Sequence, residues 1–99
     1  MIRHVALFRF KEGVTDETID HIDDVLATLP DIVDEIVTFA SGRDVGITDG
    51  AWDYAVVSDF ASVEDYRTYA SNPDHVDMVK NVVGPNVAEA ARVQFTVVG

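Results

Sequence analysis

The chain has 99 residues, no cysteine and a formal net charge of −11 from 18 acidic and 7 basic side chains. Its length suits one domain, residues 1–99, with a real core; the missing thiols exclude disulfides, thiolate metal sites and cysteine nucleophiles, and the charge disfavours nucleic acid and anionic membranes as partners. No apolar run approaches the ~20 residues that span a bilayer, and charges interrupt the opening residues where a secretion signal is continuously apolar, so a cytoplasmic location is expected.

Ile2 to Phe10 alternate, with Ile2, His4, Ala6, Phe8 and Phe10 on one face and Arg3, Val5, Leu7 and Arg9 on the other, the pattern of a strand with two useful faces. Gly13 ends it, and Thr15 is placed to cap a helix whose first turn carries Asp16 and Glu17, where the helix dipole favours negative charge. Ile19, Ile22, Leu26 and Leu29 recur at spacings of three and four until Pro30 stops the pattern. Ile32 to Ser41 reads as a second strand from its β-branched and aromatic residues, and Gly42 to Gly50 as a loop.

Trp52 to Phe60 is a third strand, alternating Trp52, Tyr54, Val56, Ser58 and Phe60 against Asp53, Ala55, Val57 and Asp59. Ser62 caps a second helix with a stripe of Val63, Tyr66 and Ala70. Asn72-Pro73 breaks it and starts a further helix through His75, Val76, Val79 and Val83, because proline disfavours α geometry before it yet suits a first helical turn. Gly84-Pro85 marks another break, a short helix is expected around Val87 to Ala91, and Arg92 to Val98 closes as a strand.

The order β-α-β-β-α-β gives an α+β, ferredoxin-like subunit: a four-stranded antiparallel sheet with helices on one face. The other face, carrying Val5, Leu7 and Val57, is too apolar for water. A second sheet is its natural cover, so self-pairing into a dimeric α/β barrel is expected, with Arg3 and Arg9 in ion pairs at that interface. Thirteen of the acids are Asp and two of the bases are Lys, a balance that fits either a high-salt setting or biased genome composition.

Several runs carry a family likeness: Ile2-Arg3-His4-Val5, Gly42-Arg43-Asp44, Phe60-Ala61-Ser62-Val63-Glu64-Asp65-Tyr66, and above all Tyr69-Ala70-Ser71-Asn72-Pro73-Asp74-His75-Val76. On these the chain resembles, from end to end, the stress-responsive dimeric α/β-barrel (Dabb, stress-response A/B barrel) domain family. That resemblance implies a homodimer and a small apolar cleft between sheet and helices in each subunit, open to a small molecule. Members of the family include a plant polyketide cyclase, olivetolic acid cyclase, which performs an intramolecular aldol condensation with a histidine and a tyrosine that match His75 and Tyr69; a first-strand histidine matches His4. Where that cyclase has a last-strand aspartate, this chain has the uncharged Gln94 at or near the position.

The candidate catalytic residues are therefore His75 as general base, Tyr69 to polarise a carbonyl oxygen and His4 to orient substrate. Each has a structural counterpart: His75 bridging the bend after Pro73, Tyr69 packing in the core, His4 satisfied by backbone. Phe8, Trp52, Tyr54 and Val79 are candidates for lining the cleft, although Trp52 equally suits packing beneath the loop before it. His21 and Asp24 share a helix face at i, i+3, too few ligands for a metal site, and no metal or cofactor is expected. Besides ligand binding and cyclase-like chemistry, a purely structural role and the cofactor-free or haem-type monooxygenase chemistry of related barrels stand as alternatives; the asparagine such a monooxygenase would carry in its first strand is absent.

Overall fold

The structure, a computed structural model, describes residues 1–98. Strand β1 spans Ile2–Phe10, β2 Ile36–Arg43, β3 Tyr54–Phe60 and β4 Val87–Thr96. They form one antiparallel sheet in the order β2-β3-β1-β4. Helices α1 (Asp16–Leu26), α2 (Leu29–Ile32), α3 (Val63–Ser71) and α4 (Pro73–Met78) complete the described chain with a π-helical turn over Val79–Val83 and a 3-10 turn over Gly84–Asn86.

The alternation of β1 sets which side chains meet the helices. His4 and Ala6 are buried while Arg3, Val5 and Leu7 across the pleat are only partly covered. The same parity runs through the sheet: His4 lies opposite Ser58 on β3 and Gln94 on β4, Ala6 opposite Val56 and Arg92, Phe8 opposite Tyr54 and Ala90. Against this face pack Ile22, Leu26, Leu29, Val33, Tyr69 and Val83, which with Ala6, Tyr54, Val56 and Phe60 make the core. Gly13, at φ +88°, takes the left-handed conformation that turns the chain from β1 toward α1.

The opposite face is open. Val5 lies between Val57 and Val93, and Leu7 between Ala55 and Ala91. Arg3 binds Asp59 through Nε at 2.8 Å and Nη2 at 3.0 Å, and Thr38 donates to the same carboxylate at 2.6 Å. These bonds hold the Asp59 carboxyl down at about 2. Arg9 pairs with Glu89 at 3.4 Å and covers the Trp52 ring at 4.4 Å.

Four expectations need correction. The helix expected around Val87 to Ala91 is strand, with Val87 paired to Phe10 and Glu89 to Arg9, so sheet pairing overrides the helical preference of its alanines. The second strand begins at Ile36 and runs through Arg43, because Ile32 ends α2 and Gly42 and Arg43 still pair with Ala55 and Tyr54. Pro30 does not end α1, which stops at Leu26; it sits in the first turn of α2, where a missing N–H costs nothing. Trp52 and Asp53 precede β3 rather than belonging to it, yet Asp53 ties this edge down, its N–H donating to Phe8 O and its carboxylate accepting from Phe10 N, both at 2.9 Å.

Candidate functional site

Between the sheet and α3, α4 and the π-helical turn lies a cavity of about 330 Å³, at the small end of the range for ligand sites. His4, Ala6 and Phe8 floor it from β1, Tyr66 and Tyr69 enter from α3, His75 from α4, and Val79 and Val83 from the π turn. Local chemistry explains each placement. Ser62 accepts from Asp65 N at 3.1 Å and starts α3. Asn72, at φ −59° and ψ 127°, leaves the helical region before Pro73, and its Oδ1 accepts from Asp74 N at 2.9 Å and His75 N at 3.3 Å. One residue thus ends α3 and caps α4, turning His75 back toward Tyr69.

The Tyr69 and His75 rings lie 4.1 Å apart between centroids, tilted by 35°. His4 stands 5.0 Å from Tyr66 and 6.1 Å from Tyr69. His4, Tyr69 and His75 are therefore brought to one cavity, with Phe8 and Val79 in its wall. Trp52 and Tyr54 are not among its lining residues; they flank a separate hollow of about 350 Å³ with Leu7 and Arg43. Tyr54 is core, stacked on Phe8, and its hydroxyl donates to Asp23. Among the described residues no three His, Cys, Asp or Glu side chains gather as a metal site requires.

Hydrogen bonds set the protonation pattern. Nδ1 of His75 donates to the Ala70 carbonyl at 3.3 Å, so the ring bridges the α3–α4 bend and keeps a lone pair on Nε2. Burial pushes its pKa below the imidazole value, partly offset by that bond. His4 is pushed further, to about 4, by burial first and then by the charges of Arg92 and His75. Gln94 Nε2 donates to His4 Nδ1 at 2.9 Å, which leaves the His4 proton on Nε2. Tyr69 is raised to about 12, mainly by burial, and stays a donor. The site therefore offers one proton acceptor, His75 Nε2, beside donors on His4 and Tyr69, an arrangement matched to a carbonyl oxygen next to an acidic C–H.

Three residues here escaped the sequence-based candidate set. Tyr66 reads in sequence as one more apolar position of a helix stripe, yet it lines the cavity and its hydroxyl accepts from Gln94 Nε2 at 3.4 Å. Gln94 engages His4, so the absent last-strand acid bears on His4, while His75 has a backbone carbonyl as its partner. Arg92 lines the cavity two positions before Gln94 on the same pleat; the alternation of β4 carries that signal once its register against β1 is known.

The model of the Stress responsive A/B Barrel Domain family matches residues 2–97. The stress-response A/B barrel domain-containing protein HS1 of Arabidopsis thaliana is 31% identical over 85 residues, covering 84% of this chain and 78% of that one. Among solved structures, a dimeric ferredoxin-like protein of unknown function from Thermobifida fusca superposes with a TM-score of 0.90 at 34% identity, over 97% of this chain and 90% of that one. A hydroxynitrile lyase from Passiflora edulis shares the fold, with a TM-score of 0.85 at 22% identity over 97% of this chain and 92% of that one. With nearly every described residue matched and the same sheet and helices in place, the chain belongs to the stress-responsive A/B barrel domain family.

Proposed function

We propose that the chain acts as a single-domain cytoplasmic homodimer, each subunit of which binds a small, largely apolar molecule in the cavity between sheet and helices. The observation that carries this reading is the cavity itself: about 330 Å³, walled by Phe8, Val79, Val83 and their apolar neighbours, with His4, Tyr69 and His75 converging on it. Concave apolar walls with a few convergent polar groups are what small-molecule sites share. Pairing is supported by the apolar open face of the sheet, where Val93 and Phe95 are 53% and 46% exposed, and by the dimeric state of the Thermobifida fusca relative. Native mass spectrometry of gently purified protein tests both parts. A dimer carrying extra mass is expected; a monomer overturns the pairing, and an empty dimer that takes up no apolar probe overturns the binding.

A second reading, cyclase-like carbonyl chemistry, is favoured by the free lone pair on His75 Nε2 beside the Tyr69 ring. His75 would take a proton from the carbon α to a carbonyl, and the Tyr69 hydroxyl would stabilise the enolate oxygen that results. The expected outcome is turnover of poly-β-keto thioesters that vanishes in His75→Ala with an unchanged circular dichroism spectrum. Inactivity of the unmodified protein on that whole substrate class sinks this reading. The likeness to a hydroxynitrile lyase at 22% identity is one of scaffold and carries no substrate across.

A further inference from the structure

Charge is distributed unevenly around the cavity. The chain carries 18 acidic side chains, and none is among the cavity's lining residues, whereas Arg92 is. Arg3, Arg9 and Arg43 are each paired with carboxylates. Arg92 has no carboxylate within 4.0 Å among the described residues and lines the cavity that brings His4 and His75 together. Arg67 and the two lysines also lack such partners but line neither this cavity nor the hollow beside Trp52.

Arg92 sits on β4, one of the two edge strands, opposite Ala6 and one pleat from the His4–Gln94 pair. Its side chain is exposed at the rim while Phe8, Tyr66, Tyr69 and His75 form ring-bearing walls further in. An unpaired guanidinium at the mouth of an apolar pocket offers a forked donor set with nothing of the protein's own to satisfy it. In a chain of net charge −11, anions are repelled everywhere except where a cation stands uncompensated. We propose that the cavity takes a small monocarboxylate with a ring-bearing apolar body, its carboxylate held by Arg92 at the rim and its ring among the aromatic walls. This deepens the ligand-binding reading above and rests on it.

The test compares 4-phenylbutyrate with its neutral amide, 4-phenylbutyramide, by isothermal titration at pH 7 and low salt. The carboxylate is expected to bind about tenfold more tightly than the amide, as a charge-assisted contact allows, and the preference is expected to shrink as salt screens the rim. Arg92→Gln, at an exposed position without hydrogen bonds to lose, should erase the preference by bringing carboxylate affinity down to about that of the amide. Equal affinities in the unmodified protein, or a preference that survives Arg92→Gln, overturn the role of Arg92 and leave the cavity reading standing. Failure of both probes to bind, checked by amide chemical shifts of the cavity residues, overturns the cavity reading and this inference with it.

Discussion

His4 and His75 are the side chains through which acid enters the core. In the folded chain burial holds His4 at about 4 and lowers His75 as well, while in the unfolded chain both titrate near 6.5. The unfolded state therefore binds protons first, and the stability tied to their neutrality is complete above about pH 6.5 and lost as the pH falls toward 4. Asp59 follows at lower pH: its carboxyl is lowered from 3.8 to about 2, chiefly by the bond from Arg3, so that contribution is present above 3.8 and is lost between there and 2. Acid unfolding should proceed in two stages, with the urea midpoint already lower at pH 4.5 than at pH 7. His4→Gln should flatten the upper stage and Asp59→Asn the lower one; a urea midpoint that does not move between pH 7 and 4.5 contradicts the histidine assignment. At neutral pH the same burial keeps His75 a base and His4 a donor, so one physical cause serves both stability and the proposed chemistry.

The elements that build the cavity include one that no pattern in the sequence announced. Gly84 closes the π-helical turn with its N–H on the Val79 carbonyl, and a Cβ there would stand 2.6 Å from that oxygen. Without a side chain the turn can close and hold Val79 and Val83 against the cavity. Gly84→Ala should cost about 1–3 kcal/mol, the range for forcing extra atoms into packed structure, and should weaken any ligand of the cavity, read by chemical denaturation and by titration of the same variant. Asn72→Ala should cost about 1 kcal/mol through its cap on α4; an unchanged denaturation midpoint counts against the cap. Strand alternation made β1 and β3 legible, and with them the inward face of His4, because a period of two needs no tertiary information. Cap chemistry at Thr15 and Ser62 did the same for the starts of α1 and α3, whose cap side chains accept the expected backbone N–H groups, and Pro73 marked the start of α4, where the structure adds the cap from Asn72. The start of β4 was not legible, since Val87 to Ala91 has a local preference that only pairing with β1 overrides. For the same reason the cavity role of Arg92 and the bond from Gln94 to His4 were not legible: the His4–Gln94 bond spans 90 positions, and its existence depends on a register rather than a motif.

Across the whole molecule, the open sheet face and the net charge pull in opposite directions. Val5, Val57, Val93 and their neighbours form a continuous apolar stripe, and its charged border is already neutralised within the subunit by the Arg3–Asp59 and Arg9–Glu89 pairs. A second copy can cover the stripe without stranding an unpaired charge, which favours the proposed pairing. Yet each copy brings a formal charge of −11, and two such bodies repel over the ~10 Å Debye length of 0.1 M salt, which contracts to ~3 Å at 1 M. The apolar attraction is short-ranged and strengthened by excluded salts such as sulfate, whereas the repulsion is long-ranged and screened. The proposed dimer should therefore tighten as salt rises, the reverse of an assembly held by ion pairs across its interface. Sedimentation velocity from low to molar salt should show a dimer whose dissociation constant falls, together with a rising thermal midpoint if the Asp-rich surface suits a saline setting. Val93→Glu, which buries a charge beside Val5 in that interface, should weaken association by about 3 kcal/mol or more while leaving the cavity on the opposite face intact. A dimer that loosens with salt, or that survives Val93→Glu unchanged, would place the contact somewhere other than this face.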